Sequence, residues 1–207
     1  MIKGCKICGI SAPKTLTYIV DHPNPPQFVG FIVNWRASSR YVELDHLKEL
    51  LNIDKKKSKY VAVIVKNDES TLEKIKDLPF DYYQMYDCSP EEISKIKEKY
   101  DKKIIAALTI ENKEDIKKYK EYENISEIIL FDSKGYEKSI GFDHNLLDEV
   151  EDHTEKMIAG NIKIEDVTNF KNKHYILDVS GSLESSKGVK DINKIDKFLN
   201  TVHNINS

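Results

Sequence analysis

Eight short runs of β-branched and apolar residues, each followed by a stretch of helical periodicity, recur from one end of this chain to the other. The runs are Ile2 to Ile10, Phe28 to Val33, Tyr60 to Val65, Asp81 to Met85, Ile104 to Leu108, Ile128 to Phe131, Lys156 to Ala159 and Tyr175 to Val179. Runs of this length and composition read as strands. Strands separated by helices must run parallel, because each crossover returns the chain to the same end of the sheet. Eight such units with no composition shift or flexible linker predict one compact, closed (β/α)8 TIM barrel spanning residues 1–207 as a single domain. An open doubly wound sheet is the rival, but the glycine-rich dinucleotide fingerprint it would carry after the first strand is missing. At 207 residues the barrel falls below the typical size of about 250, so short loops and short outer helices are expected.

The helical stretches carry their own signals. Leucines at 44, 47, 50 and 51 lie on one face of a helix over Leu44 to Leu51. Ser89-Pro90-Glu91-Glu92 places an N-cap, a proline at the first helical position and two acids in the first turn, so Pro90 to Tyr100 is a helix. Further helices are expected over Glu69 to Asp77, Lys113 to Tyr119, Leu146 to Glu151, Ile164 to Thr168 and Asp191 to Val202. The first, near Lys14 to Val20, stops at His22-Pro23-Asn24-Pro25-Pro26, where proline cannot continue it.

Composition then excludes several partners. Hydrophobic content of 40% beside 32% charged residues describes a folded soluble chain, not a disordered one. The net charge of −3 is spread without long blocks of one sign, and the densest basic run, Lys55-Lys56-Lys57, reads as a solvated loop, so nucleic acid is not expected as a partner. No signal peptide precedes the first strand, and no apolar run approaches the ~20 residues of a membrane helix. Three cysteines, Cys5, Cys8 and Cys88, show no disulfide spacing and suit a reducing cytoplasm, the expected location. Cys5 and Cys8 form a CxxC, but no second ligand pair stands at metal spacing, and strand residues three apart face opposite sides.

In a barrel of this kind the active site lies at the C-terminal ends of the strands. There the chain presents Cys8 after strand one, Arg36 and Arg40 beyond strand two, a point near Asp87 after strand four, and Asp132 after strand six. Gly160-Asn161 follows strand seven and Asp178-Val179-Ser180-Gly181-Ser182 ends strand eight. Cys8 and Asp132 come from well-separated strands and suit a base and an acid on two sides of one substrate. The glycines and serines after strands seven and eight match the usual phosphate cradle of the architecture. Arg40 offers a forked donor for a carboxylate. Lys6, one pleat beneath Cys8 on the same face, is expected to favour the thiolate. Taken singly, each feature has a structural reading too: a buried thiol, a turn after Asp132, tight turns at the glycines, a surface ion pair at Arg40. Their convergence on one rim favours chemistry. None of His22, His46, His144, His153, His174 and His203 falls at a predicted strand end, which disfavours a metal-dependent sugar-phosphate epimerase.

Residue by residue, Lys6-Ile7-Cys8-Gly9-Ile10-Ser11, Gly30-Phe31-Ile32 leading to Ser39-Arg40-Tyr41-Val42, Leu130-Phe131-Asp132, Phe142-Asp143, Ala159-Gly160-Asn161, Asp178-Val179-Ser180 and Gly188-Val189-Lys190-Asp191 resemble, in order, the signature segments of the phosphoribosylanthranilate isomerase family. The resemblance implies a (β/α)8 barrel of tryptophan biosynthesis that performs an Amadori rearrangement of a small phosphorylated substrate without a cofactor. It implies Asp132 as the general acid that opens the ribose ring and Cys8 as the general base that removes the C2′ proton. Arg40 would hold the anthranilate carboxylate, Gly160, Asn161, Ser180, Gly181 and Ser182 the phosphate, and Asp178 would orient groups around the site.

The chain departs from the family pattern at five places. Ala12-Pro13-Lys14 replaces an acidic pair, and Gln84-Met85-Tyr86-Asp87 stands for Gln-Leu-His-Gly, losing an imidazole from the rim. Tyr136-Glu137-Lys138-Ser139-Ile140-Gly141 replaces a glycine-rich loop, a double glycine is reduced to Gly160, and Ser-Gly-Ser replaces Ser-Ser-Gly after strand eight. Two alternatives follow. A related barrel isomerase acting on another phosphoribosyl amine would place an aspartate at Cys8, and a catalytically silent metabolite-binding barrel is suggested by the altered loops. The sequence leaves the oligomeric state open.

Overall fold

In the computed structural model, which describes residues 1–134 and 141–207, all eight runs become strands. They are β1 (Gly4–Cys8), β2 (Phe28–Ile32), β3 (Lys59–Val65), β4 (Tyr82–Tyr86), β5 (Lys103–Ile110), β6 (Ile128–Ser133), β7 (Lys156–Ile158) and β8 (Ile176–Val179). Each pairs in parallel with the next, and β8 pairs with β1 to close the barrel. Closure leaves no strand edge unpaired, which is why such short strands hold together.

Strand alternation divides the apolar residues into two cores. Cys5, Ile7, Val29, Phe31, Ala62, Ile64, Tyr83 and Met85 point outward and pack beneath the helices. Cys8, Phe28, Val61, Val63, Val65, Ile105, Leu130, Met157 and Ile176 fill the lumen. Cys5 and Cys8 therefore belong to opposite faces of β1, and the CxxC spacing cannot bring both sulfurs to one ion. Interleaved with the lumen residues on the same pleat are Lys6, Gln84 and Asp178, all buried.

The outer layer follows the expected pattern in its first half. Helix α1 (Pro13–Asp21) opens with proline at its first position and no side-chain cap, as Ala12 dictates. Helices α2 (Leu44–Leu51) and α4 (Pro90–Tyr100) have the predicted bounds, and α4 carries a full capping box between Ser89 and Glu92. Helix α3 (Glu69–Ile75) ends two residues before the expected Asp77. The expected helix over Lys113 to Tyr119 is divided into α5 (Lys113–Lys117) and α6 (Tyr119–Tyr122). The stretches after β6 and β7 are 3₁₀ helices, His144–Glu149 and Ile164–Phe170, in place of the ordinary helices expected over Leu146 to Glu151 and Ile164 to Thr168. Both stretches take the tighter 3₁₀ turn, which advances further per residue than an α-helix. The final helix, α7, runs over Ile192–Asn206, four residues beyond the expected end, and is capped by the Asp191 carboxylate.

One element has no counterpart among the expected ones. After β8 the chain makes a short 3₁₀ turn (Gly181–Leu183) and then a hairpin, β9 (Glu184–Ser186) against β10 (Val189–Lys190). This hairpin folds Glu184 and Lys190 back over the rim. Among the described residues, no helix is long and apolar enough to cross a membrane.

Candidate active site

A cavity of about 370 Å³ opens at the C-terminal end of the barrel. Cys8, Arg40, Asp132, Gly160, Asn161, Asp178, Ser180, Gly181 and Ser182 all line it. The nine residues expected to act on a substrate are thus brought to one place, while Asp87, expected near the same rim, is not among the residues that line the cavity. Arg36, the other arginine after β2, lies on the surface and pairs with Glu43.

Cys8 is the last residue of β1 and is nearly enclosed. Opposite it in register stands Gly30 of β2. A Cβ there would lie 2.9 Å from the Cys8 sulfur and 3.1 Å from the Lys6 ammonium, so only glycine leaves room for both. Gly9 follows with φ of +77°, and a Cβ there would come within 2.5 Å of the Arg40 Cδ. Both conformation and space therefore require glycine after the thiol.

The charge beneath Cys8 favours the thiolate, as expected, but burial outweighs it. Lys6 is fully buried and donates to Asp178 Oδ2 at 2.8 Å. Register explains the pair, since Lys6 of β1 lies directly beside Asp178 of β8. Burial is the largest influence on Cys8 and pushes the thiol above its ordinary range; Lys6 pulls it back, Asp178 adds to the rise, and Lys190 offsets part of it. Lys6 moderates the cost of burying a thiolate but does not yield a low thiol, because its charge is shared with Asp178. Burial likewise opposes the Lys6 charge, yet Asp178 and then Cys8 hold the ammonium above its usual value. Asp178 itself is raised by burial against the pull of Lys6. Its second oxygen, Oδ1, is buried with no hydrogen-bond partner among the described residues.

Asp132 keeps different company. Its Oδ1 accepts from the Ser133 main-chain N–H at 2.8 Å, and its Oδ2 accepts from the Tyr86 hydroxyl at 2.8 Å. Burial drives its carboxyl up to about 6, against the hydrogen bond from Tyr86. A carboxyl poised there can hold a proton near neutral pH and release it, the requirement for a general acid.

Arg40 is buried, and its fork closes on Glu184: Nε donates to Oε1 at 2.6 Å and Nη2 to Oε2 at 3.0 Å. Lys190 and the Gly188 N–H also reach Glu184. Burial opposes the charge, but Arg40 and Lys190 outweigh it and hold the Glu184 carboxyl down at about 2. The surface ion pair considered for Arg40 is in fact a buried one that fixes the guanidinium at the cavity wall. Ser180 donates its hydroxyl proton to the Cys8 carbonyl and accepts from Lys190, so its side chain ties the end of β8 to that of β1.

Two departures in sequence are absorbed by the backbone. Gly160 and Asn161 both adopt positive φ, +98° and +57°, so asparagine takes the left-handed turn that a second glycine would. Asp87 does the same at +52° after β4. The segment 135–140, which holds most of the altered loop after β6, lies outside the described residues.

Sequence reasoning misses Glu184 and Trp35, and it names Lys190 and Tyr86 without assigning either a role; those of Glu184 and Lys190 depend on the hairpin. Trp35 lines the cavity, as do the apolar side chains of Ile32, Val63 and Val65. Its being the sole tryptophan, between β2 and Arg40, is the signal that could have found it.

Comparison with known proteins gives a consistent picture. A model of the family described as N-(5'-phosphoribosyl)anthranilate (PRA) isomerase matches residues 5–201. An N-(5'-phosphoribosyl)anthranilate isomerase of Agrobacterium fabrum is 32% identical over 96% of this chain and 94% of its own length. The phosphoribosyl anthranilate isomerase of Thermotoga maritima shares the fold at a TM-score of 0.86 and 23% identity, covering 99% of this chain and all of its own. A second solved isomerase, in complex with reduced 1-(o-carboxyphenylamino)-1-deoxyribulose 5-phosphate, aligns at a TM-score of 0.84 and 22% identity with the same coverage.

Proposed function

Because the chain belongs to the N-(5'-phosphoribosyl)anthranilate isomerase family, we propose that the cavity at its barrel mouth works by one acid, Asp132, and one base, Cys8. The protein is an isomerase of tryptophan biosynthesis that converts N-(5'-phosphoribosyl)anthranilate into 1-(2-carboxyphenylamino)-1-deoxyribulose 5-phosphate. The step is an aldose-to-ketose isomerisation with no net redox change, so no cofactor is needed.

Asp132 gives its proton to the ribose ring oxygen as the C1′–O bond breaks and the nitrogen lone pair forms a Schiff base. The cationic imine acidifies the C2′ hydrogen, which the Cys8 sulfur removes to leave an enolamine. Reprotonation at C1′ and loss of the enol proton then give the ketone. A thiol raised by burial is less often ionised, but its thiolate is the stronger base when formed. The observation that carries this reading is that Cys8 and Asp132 both open into the single cavity where Arg40 and the glycine and serine turns also meet.

Arg40 takes the anthranilate carboxylate with guanidinium N–H groups other than the Nε and Nη2 donors bound to Glu184, which fix its orientation. The aryl ring lies on the wall of Ile32, Trp35, Val63 and Val65, and the phosphate lies at the turns of Gly160, Asn161, Gly181 and Ser182. Ser180 contributes through its main chain, since its hydroxyl proton goes to the Cys8 carbonyl, and Asp178 Oδ1 accepts from substrate. The whole chain serves as one barrel domain, acting in the cytoplasm. Loss of anthranilate fluorescence on adding purified protein, with neither metal nor nucleotide, tests the reading; a folded sample that leaves the fluorescence unchanged rules it out.

A further inference from the structure

The acid and base account for the proton transfers, yet Tyr86 has no part in them although its hydroxyl is bonded to one of the groups that do. Its side chain rises from β4 on the lumen face, two residues after Gln84, and both are buried. The Gln84 amide nitrogen donates to the Tyr86 oxygen at 3.3 Å, and the Tyr86 hydroxyl donates to Asp132 Oδ2 at 2.8 Å. Gln84 Oε1 has no partner among the described residues. A buried amide with one end unsatisfied is costly, so the other end's bond to Tyr86 is the interaction that justifies its place.

We propose that Tyr86 is the positioning residue of the acid: its hydroxyl, directed by Gln84, holds the Asp132 carboxyl in the orientation that faces the cavity. Two donors on different strands fix the carboxyl plane, the Ser133 N–H on one oxygen and Tyr86 on the other. A single donor would leave the carboxyl free to rotate about its Cβ–Cγ bond. Because Gln84 donates to the phenol oxygen, it turns the phenol proton away from itself and toward Asp132. Burial, and then the carboxylates of Asp132 and Asp178, keep that hydroxyl protonated far above neutral pH, so it stays a donor throughout the working range.

Among the described residues, the charged and titratable groups that act on Asp132 are Tyr86 from β4, Asp178 from β8 and Lys6 from β1, with Cys8 of β1 and Asp178 also acting on Tyr86. Of these, only Tyr86 changes in a Tyr86→Phe variant, which keeps the ring and its packing. The inference rests on the reading of Asp132 as the acid, and its test has an arm that needs no turnover. Carbon-13 NMR of carboxyl-labelled aspartate, with Asp132→Asn to assign the resonance, reads the Asp132 midpoint directly. It is expected near pH 6 in the wild type and higher by about one pH unit in Tyr86→Phe, the scale of one hydrogen bond to a charged group. In the kinetic arm kcat should fall about ten- to a hundredfold with KM within about twofold. An unmoved midpoint, or a Tyr86→Phe variant with wild-type kcat, overturns the assignment. Absence of turnover in the wild type would instead count against the isomerase reading, while the titration still decides the coupling.

Discussion

The two sides of the cavity solve the same problem with different means. On the β1 and β8 side, Cys8, the proposed base, sits above an ammonium that is itself paired with a carboxylate, Lys6 with Asp178 at 2.8 Å, and near a second cation, Lys190. On the β4 and β6 side, Asp132, the proposed acid, is surrounded chiefly by neutral donors, the Tyr86 hydroxyl and the Ser133 N–H. Burial raises both groups. Cations are suited to the base because its ionised form must be reachable at all. Neutral donors are suited to the acid because a full positive partner would hold its carboxyl ionised and remove the proton it has to give. The site therefore tunes its two proton affinities through the type of partner placed on each wall.

Removing either reacting group tests that contrast most severely. Cys8→Ala and Asp132→Asn should each lower kcat by about 10²–10⁴, the usual scale for one acid or base. Steady-state assays that find nearly full rate in either variant would overturn that residue's role.

Lys6→Met attacks the cationic side alone. It leaves Asp178 buried without its hydrogen-bonded ammonium, and chemical denaturation should show a loss of about 3–5 kcal/mol. The Cys8 thiol should titrate higher than in the wild type, since Lys6 opposes its rise. A thiol titration that does not move would mean that Lys6 serves the fold and not the base.

The neutral side makes a prediction of opposite sign. With a native carboxyl near 6 against an ordinary value of 3.8, folded Asp132 binds its proton before the unfolded chain does. The native state therefore loses stability relative to the unfolded state as pH rises from about 4 to about 6. A shift of roughly two units corresponds to about 3 kcal/mol. Asp132→Asn removes this dependence, so its stability relative to wild type should grow by up to that amount between pH 4 and 6. Parallel denaturation curves across the window would show no such difference if the carboxyl titrated normally.

The smallest effect is expected at the shared edge of the two walls. Arg40→Ala should raise KM by about tenfold, the worth of one charge-assisted hydrogen bond, with a lesser change in kcat. A kcat loss without a KM change would move Arg40 from substrate binding to the organisation of Glu184 and Lys190.

Much of the site is legible in the amino-acid sequence. Cys8, Arg40, Asp132, Gly160, Asn161, Asp178 and the Ser180 to Ser182 turn occupy strand ends, and strand ends in a closed parallel barrel must meet on one rim. Lys6 falls on the face of Cys8 because the pleat has a period of two. Its effect on the thiol is not legible, because its partner, Asp178, lies 172 residues away in sequence and becomes its neighbour only through closure of β8 on β1. Tyr86 reads as the loss of an imidazole for the same reason: the 2.8 Å bond to Asp132 joins β4 to β6 over the intervening β5. Glu184 and Lys190 are hidden by a hairpin too short to signal itself in the sequence pattern.

Local periodicity and topology are enough to settle which residues are strands, which face each side chain takes and which residue types reach the rim, and all of these are written along the chain. How strongly Cys8 and Asp132 hold their protons is written nowhere along it and is settled only once the barrel closes. Those affinities depend on burial and on partners brought from distant strands, and electrostatic interaction across a closed lumen falls off with distance in space, not along the chain.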